Sequence, residues 1–199
     1  MVIAYPYRPE SLYLNVTNRC SNDCRFCVRN RGDFSLAGFD MRLTEEPSAD
    51  QVLAAIAERE AAHGGPFGEV VFCGFGEPTF RLELIGEVGR TLRSAGTTVR
   101  LNTNGQGALI AGRDPWPTLT DALDAVSISL NAPDSVSYQA LCRPRHGEAA
   151  YDAVLSFAQR ASERLDEVVL TVVGFTLDDD ATERCEQIAN SLGVGFRIR

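Results

Sequence analysis

Ser11-Leu12-Tyr13-Leu14-Asn15-Val16-Thr17 runs straight into Asn18-Arg19-Cys20-Ser21-Asn22-Asp23-Cys24-Arg25-Phe26-Cys27. The first seven residues read as a strand. The next ten place three thiols within eight residues, which is ligand spacing. No helical or strand pattern resumes until residue 48, so 19–47 reads as one long connection. A loop of about thirty residues in a compact domain is normally functional or disordered.

Outward from this point, β-branched runs alternate with longer amphipathic runs, the mark of a parallel α/β fold. Strands are expected at 11–17, 69–73, 97–102, 125–130, 167–173 and 194–198. Helices are expected at 48–63, 80–95, 150–165 and 180–192. The connection 105–123, with Gly, Asp, Pro and Trp116, suits a short or irregular helix. Ser48 and Gln51 form a capping-box pattern, Gly64-Gly65-Pro66 ends the first helix, and Asp180 opens the last. The predicted architecture is a six-stranded parallel partial (β/α)6 TIM-like barrel in one domain, 1–199.

Parallel α/β folds bind ligands beyond the carboxyl ends of their strands. Here those ends carry Cys20–Cys27, then Gly74-Phe75-Gly76-Glu77-Pro78, then Asn102-Thr103-Asn104-Gly105, then Ser129-Leu130-Asn131, then Val173-Gly174-Phe175. Each is polar, glycine-rich or thiol-bearing.

The 199 residues are ordinary for a soluble globular chain, with 44% hydrophobic and 23% charged residues. Net charge is −8, which disfavours general nucleic-acid binding. No apolar stretch is long enough to span a membrane and no secretory leader is expected, so a cytoplasmic location is predicted. All 19 basic residues are arginine, which excludes lysine-based chemistry.

Soft thiolates select zinc, copper(I) or iron–sulfur clusters. Structural zinc wants four closed ligands, and no fourth Cys or His lies close in sequence. Three thiolates on a [4Fe–4S] cluster would leave one iron open. From spacing alone, structural zinc and three unrelated thiols both stay open as readings. Asn18, Asn22 and Asn30 add amides to the loop, and Arg19, Arg25, Arg29 and Arg31 add positive charge.

Cys-x3-Cys-x-aromatic-Cys after a first strand, with Phe26 as the aromatic, resembles the cluster loop of the radical S-adenosylmethionine (SAM) enzymes. Gly-Phe-Gly-Glu-Pro after the second strand is similar to their Gly-x-Gly-Glu-Pro-Thr segment. Asn102-Thr103-Asn104-Gly105 and Ser127-Ile128-Ser129-Leu130-Asn131 also resemble theirs, and the likeness covers essentially the whole chain. Thr17-Asn18-Arg19-Cys20 and Cys142-Arg143-Pro144 look most like the small TatD-associated members. The resemblance implies an oxygen-sensitive enzyme. A [4Fe–4S] cluster on Cys20, Cys24 and Cys27 would reductively cleave SAM to a 5′-deoxyadenosyl radical, which takes hydrogen from a substrate the sequence does not identify. An electron donor such as flavodoxin or ferredoxin is implied. On this likeness Glu77, with the carbonyls at Gly74 and Gly76, meets the SAM amino group. Asn131 and Ser129 meet the ribose, and Phe26 and Gly174 lie near the adenine. Asn102 and Asn104 complete the expected cofactor set. An activase acting on a partner protein, or a non-catalytic zinc or iron–sulfur module that binds a partner, are the rival readings.

Cys73 and Cys185 read as buried structural residues. Cys142, in a polar loop, is a candidate for catalysis or substrate binding. Arg29, Arg31 and Arg143 are candidates for an anionic substrate, because guanidinium binds carboxylate or phosphate through a planar fork. Trp116 is placed either as a barrel plug or in a substrate pocket.

Overall fold

The computed structural model describes residues 2–32, 34–36 and 38–199. Its main sheet has seven strands, one more than expected, in the order β1-β2-β5-β6-β7-β8-β9. The strands are β1 (Ala4–Arg8), β2 (Ser11–Leu14), β5 (Glu69–Phe72), β6 (Thr98–Thr103), β7 (Ala125–Ser129), β8 (Glu167–Val172) and β9 (Gly195–Ile198). From β2 to β9 every pairing is parallel. The added strand β1 pairs antiparallel with β2, and its register shifts between Pro6 and Arg8. Pro6 hides this strand from a sequence reading, since proline is tolerated only where a ladder ends, at a sheet edge or bulge.

The main helices are α1 (Ala49–His63), α2 (Leu82–Ser94), α6 (Ala149–Ser162) and α7 (Asp179–Ser191). The 105–123 connection holds two short ones, α3 (Gly107–Ala111) and α4 (Trp116–Leu119), and α5 (Ser135–Cys142) follows β7. The Ser48–Gln51 capping box forms, and Gly64 ends α1 in the left-handed region with φ 87°. The last helix is capped by Asp178, which accepts from Ala181 N, and not by Asp180. The α2 face Leu84, Ile85, Val88 and Leu92 is buried in one continuous core with Val99, Leu101, Val126 and Ile128 from the sheet. Trp116 belongs to this helix side. It is 2% exposed and packs on Phe157 at a ring distance of 4.8 Å, so it is no barrel plug.

The other face of the sheet curves around a cavity of about 360 Å³ lined by residues from all seven strands. The sheet does not close: β1 and β9 are both edges. Among the described residues no helix is long and apolar enough to cross a membrane.

Candidate functional site

The long connection after β2 is zipped shut at its base. Asn15 Nδ2 donates to the Met41 carbonyl at 2.7 Å. Asn18 donates to the Leu43 carbonyl and accepts from Leu43 N, at 2.7 and 3.2 Å. Glu46 accepts from Thr17 Oγ1 and pairs with Arg19 and Arg81. Beyond that stem lie a 3-10 turn, Val28–Arg31, and a small hairpin of β3 (Ser35–Leu36) and β4 (Phe39–Asp40).

Cys24 and Cys27 sit on a tight turn at the carboxyl edge of the sheet, just beyond Cys20. Cys27 N donates to the Cys24 carbonyl and Asn30 N to the Cys27 carbonyl, both at 3.0 Å. Residues 21–25 lie antiparallel to 141–145. Arg25 N donates to the Leu141 carbonyl, Asp23 N to the Cys142 carbonyl, and Arg145 N to the Ser21 carbonyl, at 2.9, 3.1 and 2.8 Å. The cysteine loop is thus bolted to the end of α5.

Polar side chains tie it to β6 as well. Glu77 is 3% exposed and accepts four hydrogen bonds: from Thr79 N, Thr79 Oγ1, Thr103 Oγ1 and Asn104 N. Three of these bonds fall on Oε1 and one on Oε2, so both oxygens of Glu77 are already engaged by the protein. Asn104 Nδ2 continues to Ser21 Oγ at 2.8 Å, and Asn104 Oδ1 accepts from Gln106 N at 3.0 Å. Gln106 Nε2 donates to Asn22 Oδ1 and to Tyr138 Oη, and Asn22 Nδ2 also donates to Tyr138 Oη. Asn22 was expected as an amide of the loop, while Ser21, Gln106 and Tyr138 escaped the sequence reading. The one available clue was their polarity beside strand ends.

The two glycines of the turn after β5 are needed for close approach to the cysteine loop. A Cβ on Gly74 would collide with the Asn15 side chain. One on Gly76 would collide with the carbonyls of Thr17 and Arg19. Both positions are therefore filled by the protein's own chain.

Burial first, and then the Glu77 carboxylate, push the Cys20 thiol up to about 12. Cys24 is raised by its hydrogen bond with the Cys142 thiol and by burial. Metal ligation has to displace these protons, so loading of the site is coupled to proton release. Cys142 is fully buried and accepts from Asn131 Nδ2 at 3.7 Å. Cys24, Cys142 and Asn131 therefore stand in one row. Asn131 adopts φ 59°, unusual outside glycine, and its Oδ1 is buried with no hydrogen-bond partner. Among the described residues no three His, Cys, Asp or Glu side chains converge on a single-ion site.

The remaining expected residues fall as follows. Phe26 is half-buried against the core. Ser129 accepts from Arg199 Nη2 at 2.9 Å, and Asn102 Oδ1 is buried without a partner. A Cβ on Gly174 would press on Ile198 at 2.9 Å, so that face of β8 is covered by β9. Arg29 is tied to the Phe75 carbonyl at 3.1 Å, and Arg143 stands 3.8 Å from Asp23. The Arg31 side chain lies outside the described residues. Arg29 is thus engaged with the turn after β5, and Arg143 stands beside Asp23 of the cysteine loop.

Fold and site define a class: an open parallel α/β barrel with a thiol loop on the ligand-binding edge. The chain matches the family model described as the radical SAM superfamily over residues 14–188, and it belongs to that superfamily. Members use a [4Fe–4S] cluster and SAM, with an electron donor. A curated relative from Sorangium cellulosum (strain So ce56), named "Probable RNA methyltransferase sce1580", is 29% identical over 189 residues, 90% of this chain and 44% of its own length. The chain thus spans less than half of that relative. Two solved structures share the fold. A radical SAM methyltransferase from Sphaerobacter thermophilus has TM-score 0.63 and 19% identity, covering 98% of this chain and 67% of the other. Streptococcus suis SuiB bound to S-adenosylmethionine has TM-score 0.72 and 17% identity, covering 96% and 40%.

Proposed function

We propose that this chain cleaves SAM reductively and takes a hydrogen atom from a substrate held in the curve of the sheet. Cys20, Cys24 and Cys27 would hold the cluster. The donor set fits it: three soft thiols within one loop, with that loop fixed to β6 and α5. When bound, cluster and SAM supply one-electron cleavage of the sulfonium and a 5′-deoxyadenosyl radical.

The observation that carries the reading is the row Cys24, Cys142, Asn131. It sets an unpartnered buried amide oxygen beside the thiol loop, where a hydroxyl of the SAM ribose would satisfy it. The strained backbone of Asn131 is consistent with a binding role. Glu77 acts as a positioning residue, since its oxygens hold the turn after β5 and the end of β6. Gly74 and Gly76 let that turn reach the loop, leaving their own carbonyls for the SAM amino group.

The test is anaerobic reconstitution with iron and sulfide, reduction with dithionite, and product analysis by mass spectrometry. 5′-Deoxyadenosine and methionine are expected from the wild type. S-Adenosylhomocysteine without 5′-deoxyadenosine would instead favour simple methyl transfer. Asn131→Ala is expected to weaken SAM binding by about 1 kcal/mol, the worth of one neutral hydrogen bond.

A further inference from the structure

We infer that the lumen of the sheet binds an anionic group of the substrate, a carboxylate or a phosphate, between Arg197 and Arg199. The inference rests on the reading above for the word substrate, and on the lumen itself for the rest. Arg197 and Arg199 follow one another on the same face at the end of the chain. In register, Arg197 lies beside Thr171, and Thr171 beside Ser129. Arg197 Nη2 reaches two strands across to Ser127 Oγ at 3.2 Å, and Arg199 Nη2 reaches Ser129 Oγ at 2.9 Å.

Charge and hydroxyl partners together single these two out. The cavity of about 360 Å³ is lined by four arginines, with Arg8 and Arg100 as the others, against one carboxylate, Glu69. Arg100 is already neutralised: it pairs with Glu69 at 2.7 Å and with Glu167 at 2.8 Å. Arg8, Arg197 and Arg199 have no carboxylate within ion-pair distance among the described residues, and of these Arg197 and Arg199 are held across the sheet by hydroxyl partners. Two guanidiniums therefore face one lumen uncompensated in a chain whose net charge is −8. Both side chains keep contact with solvent; partial desolvation of the Arg199 guanidinium and the like charge of Arg197 lower its pKa, and an anion between them would relieve that.

A second observation points to a ligand. Arg100 Nη1 and Asn102 Oδ1 line the same space and are buried without partners. One offers a spare donor and the other a spare acceptor, as a polar molecule would need. The volume suits a small ligand or the reacting end of a larger one.

The test is isothermal titration of the reconstituted wild type with inorganic phosphate and, separately, with acetate, under saturating SAM and constant ionic strength. Saturable binding of at least one anion is expected, and the arm that binds names the group. Arg197→Gln with Arg199→Gln should weaken it about ten- to hundredfold, the loss of a charge-assisted contact. The double Lys variant keeps the charges without the fork and should fall between, which also serves if the Gln variant does not fold. Failure of both anions to bind overturns the proposal, as does undiminished binding in the Gln variant. Displacement of the anion by SAM overturns it too, since the arginines would then serve the SAM carboxylate. The SAM reading fails separately, by absence of 5′-deoxyadenosine from the wild type, and that result leaves the titration of the lumen unaffected.

Discussion

Asn104 Nδ2 donates to Ser21 Oγ at 2.8 Å, joining the end of β6 to the cysteine loop across 83 residues of sequence. Both side chains are buried, and Glu77 holds the Asn104 main chain from the other side. Three strand ends are thus joined by hydrogen bonds before any cofactor arrives. Asn104→Ala would leave Ser21 Oγ and Gln106 N short of partners. A loss of about 1–3 kcal/mol is expected in urea unfolding, with lower iron retention after reconstitution. Unchanged iron retention would show that the loop is held adequately by α5 alone.

Gly76→Ala tests the contact between the turn after β5 and the loop. Its new methyl would meet main-chain oxygens of Thr17 and Arg19, which cannot swing aside as a side chain can. Overpacking of this kind costs about 1–3 kcal/mol. The substitution should lower the urea midpoint and reduce iron incorporation together.

The buried thiols separate by role. Cys24→Ala should abolish reductive SAM cleavage and leave iron substoichiometric by colorimetric assay. Cys142→Ala should keep the iron and cost about 1 kcal/mol for lost apolar burial. It also removes the hydrogen bond that raises the Cys24 pKa. Loss of iron in Cys142→Ala would make that sulfur part of the metal site.

Asp134 caps α5, the helix to which the cysteine loop is bolted. Its carboxylate accepts from Ser137 N at 2.8 Å, and that bond first, with the nearby Arg184, holds its pKa below the usual carboxylate range. A depressed carboxylate stabilises the fold above its unfolded value of about 3.9, and the benefit is lost as pH falls through the native value. Asp134→Ala should therefore cost about 1 kcal/mol at pH 7, as cap losses do, and progressively less below about pH 4. Urea melts of both proteins at pH 7 and in acid give the comparison.

The sequence by itself determined the parallel α/β plan, because periodicity and capping are local. Ser48 and Gln51 lie three residues apart, and strands such as 167–173 declare themselves by composition. It also placed the three thiols together, since ligand spacing within one loop needs no folding to be seen. Strand β1 was illegible because Pro6 breaks the pattern that marks strands, and only pairing with β2 makes it one. Glu77 looked like a ligand for a cation. Only the tertiary structure brings Thr79, Thr103 and Asn104 to its two oxygens, and burial makes such partners necessary. Arg29 follows the cysteines and Arg143 follows the fourth predicted strand in reading order, and only the fold shows Phe75 and Asp23 engaging them. Arg197 and Arg199 passed as the tail of a strand. They become a charged pair over Ser127 and Ser129 only when the sheet curves and brings side chains 70 residues apart onto one concave face.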